Sequence, residues 1–332
     1  MIYRSIEIHN CREVIKNEQT GLFKMCRIPL SLNENITGDG FGNAGVELRL
    51  VPLDDEVSIV LKAPKGKVTR AIIYYGGIQS GWQNLYKAIY DTPTEIVIHK
   101  AKNSEYLKRI TKENNLPYSP DVIRVILTNG NVEIGDIKGN CRPPREDELP
   151  KVKYLAYGSS ITHGSLAVVQ PNTYVARVAE NFNAEAINLG FAGNAKLEAE
   201  MADYIANECE FDFATLEMGI NILGIDVEDF RNRVKNFVSV IAKGHPDKKI
   251  FCIDIFFNGG DMHEKEGRHC PELFRNVVKE VLMDLNLPNT VYVNGLECLN
   301  TSLGLAQDED HPNGRGHEMI AANLTKIIKS NS

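Results

Sequence analysis

The sequence has 332 residues, of which 43% are hydrophobic, and it carries a formal net charge of −7 with a pI near 5.7. A chain of this length and apolar content can fill two separate cores, so we expect two domains. The acidic balance gives no basic surface for a phosphate backbone, which argues against a nucleic-acid partner. It favours neutral or cationic substrates over polyanions.

The chain shows no sign of a membrane or metal-binding protein. Residues 1–7 contain no apolar run of signal-peptide length, and no later run approaches about 20 apolar residues. We therefore expect a cytoplasmic protein without a membrane partner. The cysteines are odd in number and lack Cys-x-x-Cys spacing, which predicts reduced core thiols rather than disulfides or zinc ligands; they are Cys11, Cys26, Cys141, Cys209, Cys252, Cys270 and Cys298. No cofactor is expected, and the oligomeric state is left open, a homo-oligomer included.

The N-terminal part of the chain has the alternating hydrophobic pattern of β-strands. Val46–Leu50, Val57–Leu61 and Ile123–Leu127 repeat with period two, and turn signals separate them. This pattern predicts an all-β sandwich of jelly-roll type over residues 1–145. The single helical candidate in this half is the short stretch Trp82–Tyr90.

A charged, proline-rich segment follows the predicted sandwich. Asn140–Pro150 is expected neither to extend a sheet nor to pack into a core, so it is interpreted as a linker. The second domain then covers residues 151–332.

The C-terminal part alternates strands with amphipathic helices. A helix with Asp226 as N-cap buries a stripe from Phe230 to Ile241, and a second helix begins at Pro271. This alternation predicts a three-layer α/β/α domain with a doubly wound parallel sheet, of the flavodoxin-like type. Five strands are expected, at Tyr154–Tyr157, Ala186–Leu189, Phe213–Met218, Ile250–Phe256 and Val291–Val293.

The first of these strands runs into a turn of small residues. Gly158 allows the chain to bend, and Ser160 is presented at the carboxyl end of the strand, where open α/β sheets bind ligands. A serine attacks a carbonyl only when a base takes its proton and donors stabilise the oxyanion. Candidate groups follow in three later segments, Asn188–Asn194, Met218–Asn221 and Asp308–Pro312.

These four blocks, in this order, resemble the SGNH (GDSL-like) hydrolase superfamily over about the C-terminal half of the chain. The resemblance implies that Ser160 is the nucleophile, that Gly193 and Asn221 join the Ser160 N–H as oxyanion donors, and that Asp308 and His311 are the Asp-x-x-His pair. One position departs from the pattern, because Ser159 stands where the usual Gly-Asp-Ser has aspartate. Any hydrogen bond of the missing aspartate must come from Ser159 or from elsewhere.

Other interpretations of these residues are weaker. An α/β-hydrolase elbow requires Gly-x-Ser-x-Gly, and Thr162 occupies the fifth position here. A surface charge is the lesser alternative for Asp308, and an ordinary turn residue is the alternative for Asn221 or Gly193 taken alone. The joint occurrence of all four blocks at strand ends favours the catalytic interpretation.

The histidines outside the four blocks have simpler roles. The loop Gly259–Cys270 holds His263 and His269 among acidic residues, but its spacing matches no metal motif, so a solvated loop is expected. His163 is interpreted as a polar residue of the helix after the nucleophile, and His317 has no catalytic context.

The expected function is that of a serine carboxylic-ester hydrolase. The resemblance narrows to a subgroup with an N-terminal β-sandwich that includes carbohydrate esterases and acyl esterases or acyltransferases, which implies acetyl or short acyl esters of carbohydrates or small molecules as substrates. Acyl transfer to an alcohol, or carbohydrate binding with a vestigial hydrolase site, are the alternatives. Because Trp82 lies among glycines and amides, we expect it either to form part of a sugar-binding wall, with the sandwich helping to build the substrate pocket, or to fill the sandwich core.

Overall fold

The computed structural model describes residues 1–36, 39–82, 86–128, 130–263 and 269–331. The chain forms two compact units, Met1–Lys151 with Asn183–Glu185 and Val152–Phe182 with Ala186–Ser332. Within the described ranges, no helix has both the length and the apolar character needed to cross a bilayer.

The N-terminal unit is built from two antiparallel sheets. The first has the order β1-β2-β5-β11-β7-β8, with β13 beside β5 and β9 beside β7, and the second has the order β10-β6-β12-β4-β3. The strands are β1 (Ile2–Tyr3), β2 (Ile6–His9), β3 (Glu13–Lys16), β4 (Phe23–Cys26), β5 (Glu47–Pro52), β6 (Glu56–Lys62), β7 (Thr69–Tyr75), β8 (Ile78–Gln79), β9 (Tyr86–Ile89), β10 (Thr94–His99), β11 (Ile123–Leu127), β12 (Glu133–Lys138) and β13 (Cys141–Arg142). Two helices accompany them, α1 (Leu30–Asn35) and α2 (Ser104–Glu113).

Both sheets contribute to one apolar core. The alternation in β6 buries Val57, Ile59 and Leu61, which belong to the same cluster as Leu48 and Val125 of the first sheet. Burial of every second residue from two facing sheets is the arrangement of a β-sandwich, as the alternating pattern predicts. The jelly-roll connectivity stays a prediction.

Two expectations for this unit are wrong: the helix at Trp82–Tyr90 and the free linker at Asn140–Pro150. Trp82–Tyr90 is not a helix: residues 83–85 lie outside the described part of the chain, and Tyr86–Ile89 pairs with β7 as strand β9. The ten-residue helix of this unit is instead α2, Ser104–Glu113, whose apolar stripe is thin and buries Leu107. A short, mostly polar helix gives a weak periodic signal.

The proline-rich segment is not a free linker. Strand β13 pairs with β5, the Cys141 side chain joins the sandwich core, and Glu148 is buried. Arg142 holds Glu148 with two hydrogen bonds of 2.7 Å. The segment therefore belongs to the N-terminal unit, which extends to Lys151.

The C-terminal unit contains one five-stranded sheet. Its strands are β14 (Val152–Gly158), β15 (Ala184–Gly190), β16 (Phe213–Glu217), β17 (Lys249–Ile253) and β18 (Thr290–Val293), as predicted to within a few residues. Its helices are α3 (Ser160–His163), α4 (Tyr174–Asn181), α5 (Ala199–Glu208), α6 (Val227–Gly244), α7 (Gly259–Met262), α8 (Pro271–Leu285), α9 (Gly295–Cys298) and α10 (Gly314–Ser330).

The topology of this sheet fixes where a ligand can bind. Strand order is β15-β14-β16-β17-β18, and β14, β16, β17 and β18 pair in parallel. Helices α5, α6 and α8 pack together, and α4, α9 and α10 form a second group. The chain moves to one side of β14 first and to the other side afterwards, so the carboxyl end of β14 is the switch point where such sheets bind ligands.

Candidate active site

Ser160 begins helix α3 directly at this switch point. Ser159 is the N-cap, and its hydroxyl accepts a hydrogen bond of 3.1 Å from the Ile161 N–H. A Cβ at Gly158 would overlap the Glu217 carboxylate and the Thr162 hydroxyl. Gly158 is thus required for space rather than for a left-handed bend, since its φ is not positive.

Ser160, His311 and Asp308 form a continuous chain of hydrogen bonds. Ser160 Oγ lies 2.8 Å from His311 Nε2, and His311 Nδ1 lies 2.8 Å from Asp308 Oδ2. A carboxylate only accepts, so Nδ1 carries the ring proton and the bare Nε2 faces the serine hydroxyl. The three side chains therefore have the geometry of a serine nucleophile, its base and the acid that orients the base.

Asp308 also shapes the loop that carries His311. Partial burial raises the pKa of Asp308, but hydrogen bonds from the His311 N–H, the His311 ring and the Asp310 N–H outweigh it and leave the pKa below its ordinary value. The backbone donors lie 3.1 and 3.2 Å from Oδ1. One carboxylate oxygen thus holds the loop backbone while the other holds the imidazole.

Gly193 lies in a turn beside the nucleophile. The turn is closed by the Asn194 N–H, which donates to Phe191 O over 3.1 Å, so the Gly193 N–H is not consumed by it. Gly193 has a φ of +70°, a conformation that favours glycine. The Phe191 N–H donates to Gly158 O over 2.8 Å and brings this turn next to the one that precedes Ser160.

Asn221 is placed in the short 3₁₀ turn Ile220–Ile222 that follows β16. Its side-chain amide donates to the backbone carbonyl of Asn194. One amide hydrogen is used by this bond, and the amide has a second. The two residues expected to stabilise an oxyanion therefore belong to loops that contact each other directly.

Glu217 is a site residue that the sequence reasoning missed. The side chain is 1% exposed, and its Oε2 accepts hydrogen bonds from the Ser159 N–H at 2.6 Å, the Ser159 hydroxyl at 2.7 Å and the Thr162 hydroxyl at 3.0 Å. Burial raises the pKa of Glu217, while these donors oppose the rise. The signal available in the sequence was a glutamate in the mostly apolar predicted strand Phe213–Met218.

His317 supports the same region from helix α10. It is fully buried, its Nε2 donates to Ser165 O over 3.1 Å, and its Nδ1 accepts from the Tyr174 N–H over 3.3 Å. Burial lowers the pKa of His317 to about 4. The neutral ring ties the loop after α3 to the start of α4, a role that has no sequence motif.

Strained backbone is frequent within or shortly after three of the four blocks. Of the ten non-glycine residues with positive φ in the described ranges, half lie there: Leu166, Val168, Ala195, Leu197 and Glu309. For branched or bulky side chains this conformation is costly and is retained where the surroundings enforce it, often at functional sites. Leu166 and Val168 are also exposed, by 47% and 80%.

The loop Gly259–Cys270, which contains side chains of metal-ligand types, is described only in part, because residues 264–268 lie outside the described ranges. His263 Nε2 lies 2.8 Å from Glu309 Oε2, which joins this loop to the loop that carries His311. Among the described residues, no group of three or more His, Cys, Asp or Glu side chains is arranged to hold a metal ion.

Trp82 does not fill the sandwich core, because it is 95% exposed. It borders a cavity of about 830 Å³ in the N-terminal unit, together with Tyr75, His99, Lys100 and Asn103. The core-filling alternative is therefore wrong. Trp82 instead exposes its aromatic ring beside amide and charged groups.

Comparison with known proteins identifies the family. The model of the GDSL-like lipase/acylhydrolase family matches residues 152–329. No curated protein matches the sequence. Among solved structures, a salicylyl-acyltransferase, SsfX3, from a tetracycline biosynthetic pathway is similar with a TM-score of 0.78 at 17% identity, covering 98% of this chain and 96% of that one.

Two further structures share the fold over nearly the whole chain. A GDSL-like lipase from Bacteroides ovatus has a TM-score of 0.68 at 17% identity, covering 98% of this chain and 97% of that one. A family two carbohydrate esterase from Cellvibrio japonicus has a TM-score of 0.65 at 13% identity, covering 98% and 95%. With the family match spanning more than half of its length, this chain belongs to the GDSL-like lipase/acylhydrolase family.

Proposed function

We propose that the protein is a serine carboxylic-ester hydrolase that removes acetyl or other short acyl groups from carbohydrate or small-molecule esters. The observation that carries the proposal is the hydrogen-bonded chain from Ser160 through His311 to Asp308 in a member of an acylhydrolase family. A serine, a base with its bare nitrogen toward the hydroxyl and an orienting carboxylate are the parts that acyl transfer requires.

In the first half of the reaction, Ser160 Oγ attacks the ester carbonyl while His311 Nε2 takes the hydroxyl proton. The tetrahedral intermediate collapses as His311 returns this proton to the alkoxide, and the alcohol leaves. The acyl group stays on Ser160. Asp308 stabilises the imidazolium through its 2.8 Å contact with Nδ1.

In the second half, water replaces the alcohol. His311 takes a proton from the water as its oxygen attacks the acyl-enzyme carbonyl, and it returns the proton to Ser160 Oγ when the second intermediate collapses. The carboxylic acid is released and Ser160 is regenerated.

The developing oxyanion needs donors placed before the reaction. We assign this role to the backbone N–H groups of Ser160 and Gly193 and to the second hydrogen of the Asn221 amide. The contact between Asn221 and Asn194 O supports the assignment, because it fixes the amide orientation in advance. Donors that need no reorganisation are worth more than donors in water.

The preference for acylated carbohydrates rests on the named relatives, among them the family two carbohydrate esterase from Cellvibrio japonicus. A small acyl group also agrees with a nucleophile that is only 9% exposed. Leu166 and Val168, exposed and apolar in the loop after α3, are proposed to contact the acyl or alcohol part of the ester.

Trp82 is proposed to bind the sugar part of a larger substrate. An exposed aromatic face beside the amide of Asn103 and the side chains of Tyr75 and His99 provides stacking and hydrogen bonding together. A cavity of about 830 Å³ has room for more than one sugar ring.

We also propose that the protein works in a reducing compartment such as the cytoplasm. Five of the seven cysteines are buried as free thiols, which supports it: Cys11, Cys26, Cys141, Cys252 and Cys298. Buried unpaired thiols are typical of proteins kept under reducing conditions.

Acyl transfer to an alcohol is the second candidate function, favoured by the likeness to the salicylyl-acyltransferase. The same residues would serve, with an alcohol taking the place of water in the second half-reaction. A carbohydrate-binding protein with a vestigial site is less well supported, because the Ser160–His311–Asp308 chain is intact.

A substrate screen tests the proposal. Acetylated mono- and oligosaccharides are compared with p-nitrophenyl esters of increasing acyl length, with and without an added alcohol, and both free acid and new ester are quantified. Free acetate from acetylated sugars supports the hydrolase, and new ester as the main product supports the transferase. No product from any ester, with Ser160 unreactive, would refute both.

A further inference from the structure

The turn that carries the nucleophile is held by a carboxylate that its own sequence lacks. Ser159 replaces the aspartate of the usual Gly-Asp-Ser, yet Glu217 Oε2 lies 2.6 Å from the Ser159 N–H and 2.7 Å from its hydroxyl. Glu217 is the last residue of β16, the strand paired with β14. The carboxylate therefore reaches the turn from the neighbouring strand.

We propose that Glu217 is a positioning residue for Ser160, supplying from β16 the carboxylate that holds the nucleophile turn. This inference rests on the proposed esterase function. Glu217 does not touch the reacting atoms. It acts through Ser159, directly before Ser160 in the turn, and through Thr162, two residues after Ser160 in helix α3.

The directions of the hydrogen bonds explain how the turn is fixed. The Ser159 hydroxyl donates to Glu217 Oε2 and accepts from the Ile161 N–H, so its single proton and one of its two lone pairs are committed. The Ser159 N–H is bound to the same carboxylate oxygen. The peptide planes next to Ser160 are thereby fixed, and with them its N–H and the direction of its Oγ.

The far side of Ser160 is held in the same way. The Thr162 hydroxyl donates to Glu217 Oε2 over 3.0 Å, so it can only accept from the Tyr174 hydroxyl, which lies 2.6 Å away. Thr162 and Tyr174 are both fully buried. One carboxylate oxygen thus holds both the N-cap Ser159 and Thr162 within helix α3, the helix that begins with the nucleophile.

The environment of Glu217 indicates that this residue positions the nucleophile turn and contributes little to the stability of the fold. In the described part of the chain, the buried Oε1 has no hydrogen-bond partner and the carboxyl forms no ion pair. A buried carboxyl without a cation is a poor source of stability. Glutamine has the same shape and keeps an oxygen that can accept from the three donors, so the fold is expected to tolerate it. Glu217→Gln is therefore expected to keep the melting temperature of the wild type while it loses activity.

The test moves the carboxylate from position 217 to position 159. Four proteins are compared: the wild type, Glu217→Gln, Ser159→Asp, and the double variant Ser159→Asp/Glu217→Gln. The kcat and KM for p-nitrophenyl acetate and the melting temperature are measured for each. This small ester reports on the nucleophile and depends little on sugar binding.

Each single variant is expected to lose about a hundredfold in kcat with KM little changed, the loss that a misplacement of about 1 Å produces. Glu217→Gln replaces the charged acceptor of the three donors with a neutral amide oxygen, which accepts more weakly, and Ser159→Asp puts a second carboxylate against Glu217. The double variant restores one carboxylate, which can cap the Ile161 N–H and accept from the introduced amide. It is expected to recover at least tenfold in kcat over either single variant.

The outcomes are distinct. A kcat in Glu217→Gln within twofold of the wild type would overturn the inference, as would a double variant that is worse than both single variants at an unchanged melting temperature. A melting temperature that falls in parallel with activity, without recovery in the double variant, would reduce Glu217 to a structural residue. A wild type that does not hydrolyse the ester would instead refute the esterase function on which the inference rests.

Discussion

The side-chain amide of Asn221 donates a hydrogen bond to the backbone carbonyl of Asn194, the residue that follows Gly193. The loop after β16 and the turn after β15 are thereby joined at the position where each is expected to present an oxyanion donor. A donor held in place before substrate arrives pays no orientational cost during the reaction. This contact makes the two candidate donors one unit rather than two independent residues.

Replacing Asn221 is expected to lower turnover. Asn221→Ala removes a donor and also releases the Gly193 turn, so the transition state should lose about 3 kcal/mol, mainly in kcat, as at other oxyanion sites. Asn207→Ala, at an exposed asparagine of α5, is the matched control. The measurement is steady-state kinetics on p-nitrophenyl acetate. A change confined to KM would place Asn221 outside the oxyanion site.

The base and the acid of the site should differ in importance. His311→Ala removes the proton acceptor and is expected to cost about 10⁶-fold in kcat, whereas Asp308→Asn should cost about 10⁴-fold, because the acid orients and stabilises the ring without reacting. The order of the two losses in kcat matters more than their size. Near-wild-type activity of Asp308→Asn would show that the Ser160–His311 pair works without the carboxylate.

Trp82→Ala is expected to separate sugar binding from ester chemistry. The side chain is 95% exposed, so its loss should leave the melting temperature unchanged. We expect a several-fold higher KM for an acetylated oligosaccharide and no change for p-nitrophenyl acetate. Tyr106→Ala, which removes a partly exposed aromatic ring from α2, is the control. Equal kinetics of Trp82→Ala and wild type on the oligosaccharide would remove Trp82 from the substrate site.

His317 predicts a pH dependence of stability. Burial lowers the pKa of His317 to about 4 from an ordinary value of 6.5, so between these pH values the unfolded chain binds a proton that the folded chain does not. The stabilising contribution is present above pH 6.5 and is lost as the pH falls toward 4. It amounts to about 3 kcal/mol, because a difference of one pH unit between the folded and unfolded pKa corresponds to about 1.4 kcal/mol.

The measurement for His317 is urea unfolding of the wild type and His317→Gln from pH 4 to 7. The amide can still donate to Ser165 O but does not titrate in this range. The stability of the wild type should therefore rise relative to that of the variant across this window. Groups common to both proteins, such as Asp254, whose pKa burial raises to about 6, cancel in the difference. Parallel stability curves would contradict the assignment.

The strands and the four blocks were predictable because their signals are local. A short apolar run that ends in Gly-Ser-Ser or Met-Gly-Ile-Asn reports a strand end within a few residues. The parallel strands of the C-terminal unit follow from such runs and from the rule for open sheets, whereas the pairing of Ser160 with Asp308 and His311 follows from the resemblance to the hydrolase family.

The features that were missed depend on contacts between distant residues. Glu217 meets Ser159 across 58 positions of sequence, and a glutamate at the end of a strand gives no hint of its partner. Cys141–Arg142 pairs with Val51 and Pro52 of β5, while its local composition indicates a linker. The composition of a segment indicates which local structures it can adopt. Whether the segment pairs as a strand depends on which strand edge the rest of the fold places beside it.

The central claim is that Ser160 is the nucleophile. A fluorophosphonate probe reacts at useful rates only with an activated serine, so peptide mapping of the labelled protein should find the adduct on Ser160 alone. Ser160→Ala should neither be labelled nor hydrolyse p-nitrophenyl acetate above the background rate. Label on another residue, or undiminished hydrolysis by Ser160→Ala, would contradict the account.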